Sequence, residues 1–364
     1  MSLKVGIVGL PNVGKSTLFN AITNSRVEAA NYPFATIEPN VGVVEVPDLR
    51  LENIYKIFSS KKKISTTIEF VDIAGLIAGA SKGEGLGNAF LANIRETDAI
   101  CEVVRCFDNK DITHVEGNVD PIRDIEIINL ELMLSDEASI KKRIERITPK
   151  VRGGDKVLNA ELELLKKAED CLQSNKLLNT LELNEEERKI FSHFQFLTAK
   201  TFIYLCNVND NELSFDNEYV LKVKEFAKQT NSSVVKICAK IEEDLSDASE
   251  EEKKEFLSDL GVEFSGLEQL IKAAYDALGL QTYFTAGPQE ARSWQFKKGW
   301  TAPQCAGVIH TDFEKGFIKA DIYNVEDLMV CGDEKKVKES GKMRLEGKSY
   351  IMQDGDVCFF KFNV

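Results

Sequence analysis

The run Gly9-Leu10-Pro11-Asn12-Val13-Gly14-Lys15-Ser16 constrains this chain more than any other stretch of it. It satisfies the spacing G-x4-G-K-[ST] in full. In such a loop the glycines let backbone N–H groups turn inward on phosphates. The lysine reaches the terminal phosphates, and the serine hydroxyl ligates Mg²⁺. The pattern alone arises by chance, so its flanks decide. Leu3-Lys4-Val5-Gly6-Ile7-Val8-Gly9 is an apolar, β-branched run and reads as a buried strand. Ser16-Thr17-Leu18-Phe19-Asn20-Ala21-Ile22 opens a helix whose positive end points at the anion. Asn12, Val13, Gly14, Lys15, Ser16 and Thr17 are therefore the expected nucleotide cradle, with Lys15 also acting on the reaction.

Further strands are expected at 67–72, 99–107, 201–207 and 233–239, separated by helical segments. That order argues a parallel-rich sheet with crossover helices. The gap between 107 and 201 is too long for one crossover. Ile125, Ile128, Leu132, Ile140, Ile144 and Ile147 recur at helical spacing. Arg152-Gly153-Gly154-Asp155 breaks the pattern, and Leu158, Leu162, Leu165, Ala168 and Leu172 resume it. An antiparallel helical hairpin inserted in the sheet domain is the expectation. Lys141, Lys142, Arg143, Arg146, Lys150, Arg152 and Lys156 gather near its tip. They read as a solvated face or as a contact for a phosphate backbone. Beyond residue 275, short strands are expected at 283–286, 308–310, 317–322 and 356–362. A turn at Asp354-Gly355-Asp356 precedes the last, which suggests a small mixed β domain. The expected domains are 1–121 with 199–277, the hairpin 122–198, and 278–364.

The chain of 364 residues is 43% hydrophobic with a formal net charge of -13, which argues against a wholesale nucleic-acid coat. Its eight cysteines form no CxxC pair and read as reduced, structural thiols. No basic-apolar leader opens the sequence and no apolar run is long enough to span a bilayer, so a soluble cytoplasmic protein is expected.

Three further elements extend the cradle. Asp72-Ile73-Ala74-Gly75 ends its strand in an acid that can hold Mg²⁺ through water, and the Gly75 amide can sense the γ-phosphate. Thr36 is the best placed residue in its loop to complete the Mg²⁺ shell. Asn207-Val208-Asn209-Asp210 stands where a guanine reader carries N-K-x-D, and Cys238-Ala239 stands where a backbone N–H usually meets the base. The lysine position is Val208, which points away from strict GTP specificity. Asn207 and Asn209 offer the donor and acceptor that adenine needs.

These residues resemble the YchF group of Obg-related P-loop proteins over the whole chain. The resemblance rests on the P-loop, on Asn31-Tyr32-Pro33-Phe34-Ala35-Thr36-Ile37-Glu38-Pro39-Asn40, and on Asp72-Ile73-Ala74-Gly75-Leu76 with Gly83-Glu84-Gly85-Leu86-Gly87-Asn88. It rests equally on Thr285-Ala286-Gly287-Pro288 and on His310-Thr311-Asp312-Phe313-Glu314-Lys315-Gly316-Phe317. It implies an OBG-type G domain, an inserted coiled-coil hairpin and a C-terminal TGS domain of ubiquitin-like β-grasp fold. It also implies ATP in preference to GTP, slow hydrolysis, and association with the ribosome (50S or 70S) or RNA. The group's motif at the base usually ends in Glu, and Asp210 departs from it.

Ras-like proteins place a Gln after DxxG to orient the attacking water. Leu76 stands there and cannot hydrogen bond. His114, one of three histidines, is the candidate replacement. Asn12 can ligate K⁺, supplying charge where an arginine finger would act. His310 reads as structural. A GTPase of the same fold and a nucleotide-switched binding module with incidental turnover are the competing readings, and a monomer is the default.

Overall fold

The structure, a computed structural model, describes residues 3–24, 40–73, 86–114, 117–151, 155–246 and 248–363. The chain begins β1 (Leu3–Val8), α1 (Lys15–Asn24), β2 (Val41–Glu45), α2 (Leu49–Phe58), β3 (Lys62–Ile64) and β4 (Thr67–Asp72). Next come α3 (Leu86–Arg95), β5 (Ala99–Arg105), α4 (Pro121–Val151), α5 (Lys156–Gln173) and α6 (Glu185–Ser192). Then follow β6 (Thr201–Asn207), α7 (Glu218–Gln229), β7 (Ser233–Ile237), α8 (Ala239–Leu245), α9 (Glu250–Asp259) and α10 (Gly266–Ala277). The remainder is β8 (Leu280–Ala286), β9 (Glu290–Lys297), α11 (Ala302–Ile309), α12 (Thr311–Lys315) and β10 (Phe317–Asn324). It closes with α13 (Val325–Cys331), α14 (Glu334–Glu339), β11 (Arg344–Glu346) and β12 (Asp356–Phe362).

Among the described residues the first sheet runs β2-β4-β1-β5-β6-β7. Every pairing is parallel except that of β2 with β4. All seven residues of β5 are buried, as a central strand covered by helices on both faces requires. The five strands expected around the P-loop are β1, β4, β5, β6 and β7. β2 was not expected: its five residues Val41-Gly42-Val43-Val44-Glu45 are short and contain a glycine, although their alternating burial is that of a half-covered edge.

α4 and α5 form the inserted hairpin with a core of its own, built on Ile140, Ile147, Leu162, Leu165, Ala168 and Leu172. Asp155 starts α5 by accepting the backbone N–H groups of Val157 and Leu158 at 2.9 and 3.3 Å. At the root, Asp136 of α4 accepts Leu197 N at 2.9 Å, Thr198 N at 2.8 Å and Thr198 Oγ1 at 2.7 Å. Burial raises the Asp136 carboxyl despite these bonds. The hairpin is thus stitched to the segment entering β6.

The second sheet runs β11-β10-β12-β8-β9-β3. An antiparallel β8–β9 hairpin is followed by α11, and the last strand β12 lies parallel to β8 at the centre, flanked by antiparallel β10. This is the order of a ubiquitin-like β-grasp. The strand expected at Val308-Ile309-His310 is not one. Val308 and Ile309 end α11, which a Thr301–Gln304 capping box and Pro303 initiate. His310 then caps α12, its Nδ1 accepting Asp312 N at 3.1 Å. Three residues carry too little period to separate strand from helix.

α2 and β3 depart from the first sheet and join the second. β3 pairs in parallel with β9, while Leu51 and Ile54 of α2 pack with Phe284, Tyr323 and Val357. Lys61 N and Lys62 N donate to the carbonyls of Pro288 and Gln289 at 3.1 and 3.2 Å, and Ser60 Oγ to that of Gly287 at 2.7 Å. The Thr285-Ala286-Gly287-Pro288 stretch is therefore where the two sheets' segments meet.

Candidate nucleotide site

The P-loop leaves β1 at Val8 and enters α1 at Lys15. Two backbone positions are left-handed, Asn12 at φ 64° and Gly14 at φ 99°. A Cβ on Gly14 would stand 2.2 Å from Asn207 Nδ2, so only glycine fits there. A Cβ on Gly9 would stand 2.9 Å from the Val103 carbonyl. The first turn of α1 carries no acid, which keeps its N–H groups clear for an anion. Val13 is buried, Thr17 is half-buried and Ser16 is exposed at the same end of the helix. The Lys15 ammonium is ion-paired with Asp72, which lies beside Ile7 in the β1–β4 register. The two charges that a Mg²⁺–triphosphate group would address thus face one another. Ser16 and Asp72 present hard oxygens, a donor set suited to Mg²⁺.

The segment expected to read the base is built differently from its sequence promise. Asn207 is 5% exposed, and both ends of its amide are engaged. Its Nδ2 donates to the Val13 carbonyl at 2.9 Å, and its Oδ1 accepts Ala239 N at 3.0 Å. It is a brace between the P-loop and the start of α8. Val208 is buried, with its N–H on the Ile237 carbonyl at 2.8 Å. The Asn209 side chain closes a capping box with Glu212. Asp210 is exposed, and its Oδ1 accepts Asn211 N at 2.7 Å. Cys238 is buried ahead of α8, and that burial pushes its thiol up. Of the adenine-reading pair Asn207 and Asn209, the first amide is committed to the scaffold.

A third segment, 105–114, closes on the P-loop from the side. Asn12 Nδ2 donates to the Thr113 carbonyl at 3.2 Å. Arg105, 1% exposed, donates to the carbonyls of Phe107, Asn109 and Ile112 at 3.1 to 3.2 Å and lies over the Phe107 ring. His114 is 7% exposed, and its Nε2 lies 2.8 Å from Asp124 Oδ2 in the first turn of α4. Sequence reasoning overlooked Arg105 and Asp124. An arginine ending the apolar run Ala99–Arg105 is a legible signal for the first. Asp124 sits among the apolar positions of an amphipathic helix, where only contact reveals its partner. Thr36, Gly75 and Leu76 lie outside the described residues.

Comparison with known proteins extends these observations. Residues 4–135 match the family described as 50S ribosome-binding GTPase. Residues 280–363 match the YchF GTPase C-terminal family, described as a protein of unknown function. The chain is 53% identical over 366 residues to the ribosome-binding ATPase YchF of Bacillus subtilis, covering 100% of both. Against the protein of the same name from Escherichia coli O157:H7 it is 52% identical over 364 residues, again at 100% of both. The solved structure of the Schizosaccharomyces pombe YchF GTPase superposes with a TM-score of 0.89 at 39% identity, over 99% of this chain and 98% of that one. With the P-loop, the inserted hairpin and the β-grasp domain all matched along its length, this chain belongs to the YchF family.

Proposed function

We propose that this chain is a Mg²⁺-dependent P-loop ATPase whose ATP binding and slow hydrolysis act as a switch at the ribosome, in the cytoplasm. The Lys15–Asp72 pair at the end of the P-loop carries the reading. Relatives from Bacillus subtilis and Escherichia coli bear the name ribosome-binding ATPase. Ser16, with Asp72 through water and Thr36, would hold Mg²⁺, which when bound neutralises charge on the phosphates. Lys15 would transfer from Asp72 to the terminal phosphates. Asn12 would ligate K⁺, and equal rates in Na⁺ and K⁺ would remove that role.

Base preference follows from Val208, whose buried side chain cannot lie along a guanine as lysine would. Titration of ATP against GTP with Mg²⁺ tests it. ATP is expected to bind at least about tenfold more tightly, a difference of about 1.4 kcal/mol. Tighter GTP overturns the preference. The GTPase reading draws on the exposed Asp210 carboxylate, and Asp210→Glu should then weaken GTP while sparing ATP.

His114 serves as the group that orients the attacking water, in place of a Gln at the Leu76 position. His114→Ala should lower the single-turnover ATPase rate by about 10²-fold, the usual contribution of a positioned side chain. An unchanged rate removes His114 from the reaction. Lys142, Arg146, Lys150 and Lys156 are exposed near the hairpin tip, whereas Arg143 is paired with Glu161 at 2.6 Å. The exposed four suit a local contact with ribosomal RNA, and binding through them should weaken as salt rises.

A further inference from the structure

His114 is held away from solvent. Its distal nitrogen, the one best placed to reach outward, is engaged by Asp124 at 2.8 Å, and the two side chains are 4% and 3% exposed. Asp124 is fixed in turn. Its Oδ1 accepts Arg123 Nη2 at 3.0 Å, and Arg123 donates to Asn118 Oδ1 at 2.9 Å and to the Asn118 carbonyl at 2.7 Å. Among the described residues, Glu102 of β5, 1% exposed, and the Cys106 thiol also face the Asp124 charge. Both are shifted toward their neutral forms, Glu102 by burial and Cys106 by a hydrogen bond to Cys206 and by burial. A histidine in this place cannot offer Nε2 to a water beside a bound triphosphate. The residue before it is nonetheless tied to the P-loop, through Asn12 Nδ2 and the Thr113 carbonyl at 3.2 Å.

We propose that Asp124 is a positioning residue that latches His114 in a withdrawn place, and that filling the P-loop releases it through Asn12 and Thr113. The proposal rests on the reading of His114 as the water-orienting group. It makes slow basal turnover a consequence of two things, the loss of a Gln and the storage of its replacement. Nucleotide raises the unlatched population but leaves it minor, and only that population hydrolyses, so the latch scales kcat while nucleotide affinity moves little. Asp124 also belongs to α4, the long arm of the hairpin. A force on that arm therefore acts on the latch directly.

Steady-state and single-turnover ATPase of the full chain test this with Asp124→Asn, His114→Ala and the double variant. Replacing a charge-assisted hydrogen bond by a neutral one should raise kcat by about fivefold with KM little changed. That gain should vanish in the double variant, which should match His114→Ala alone. A fall in kcat for Asp124→Asn overturns the latch while leaving the role of His114 standing. An unchanged rate in His114→Ala sinks that role and the latch with it. A second measurement needs no variant. Deuterium exchange at the imidazole C2 position of His114 in wild-type protein should be slow without nucleotide and faster with a non-hydrolysable ATP analogue and Mg²⁺. The exposed His193 and His310 serve as internal references. An unchanged half-life at His114 overturns the proposal.

Discussion

Asn207 shows how a residue placed by sequence in the base pocket can act one layer behind it. Its amide satisfies the Val13 carbonyl and the Ala239 N–H at once, so the P-loop and the start of α8 are fixed to one side chain. Asn207→Ala leaves a buried donor and a buried acceptor without partners. A stability loss of about 2–4 kcal/mol is expected, read as a lower urea midpoint, together with weaker ATP binding. An unchanged midpoint would mean water replaces the amide at no cost. Glu102 makes a different prediction. Its carboxyl lies fully buried between β5 and α4, its Oε2 has no hydrogen-bond partner among the described residues, and burial followed by the nearby Asp124 charge raises it well above the ordinary range. Below the ordinary carboxyl pKa both folded and unfolded states are protonated, and its contribution to stability is fully present. As pH rises past that value the unfolded chain releases the proton and the folded chain keeps it. Stability then falls until the raised folded pKa is passed. Glu102→Gln should flatten that part of the curve of melting temperature against pH, and a slope identical to wild type would assign the dependence to another group.

Elements were legible where a long period or a motif declared them. The P-loop strand and helix, the hairpin of α4 and α5 and the four other core strands of the first sheet could all be read from spacing, because each buries a continuous face. What could not be read was short or depended on a distant partner. β2 and β3 have five and three residues, too few for a period to register. The 308–310 stretch reads as strand by composition, yet the upstream capping box and Pro303 commit it to α11. Within the site, the P-loop residues and Asp72 were visible. The Asn207 brace was not, since it joins segments far apart in sequence, and the His114–Asp124 contact was not, since the ten residues between them cross from a loop into the first turn of α4 and follow no helical or strand period. α2 illustrates the same point in energetic terms. Its Ile54 is fully buried, against residues more than two hundred positions away. Ile54→Ala should therefore cost about 2–5 kcal/mol, as cavity formation in a packed core does, measurable by denaturant unfolding. A cost near zero would mean α2 is not anchored on the second sheet.

At the scale of the molecule, the connection from β2 to β4 is the structural joint. These two strands pair with each other at the edge of the first sheet, and β4 ends in Asp72 at the nucleotide site. The chain between them supplies one helix and one strand to the second sheet. The C-terminal β-grasp is thus completed by residues from the nucleotide-binding half, and its core does not close without them. A chain ending at residue 277 would expose Leu51, Ile54, Ile57 and Phe58, which in the whole molecule pack against Phe284, Ala291, Tyr323 and Val357. It would also leave β3 without β9. Such a fragment should melt at a lower temperature than the full chain, bind an apolar dye and self-associate, as uncovered apolar patches do. The full chain should unfold with the loss of both sheets together, because the joint spreads cooperativity between them. Thermal unfolding followed by near-ultraviolet circular dichroism of the two tryptophans checks this. Trp294 lies on β9 and Trp300 just after it, so they report the second sheet, while ATP-dependent stabilisation reports the first. If ATP and Mg²⁺ raise the transition seen by the tryptophans, the two sheets are linked through α2 and β3. If ATP leaves that transition where it was, the sheets unfold independently and the joint is only a tether.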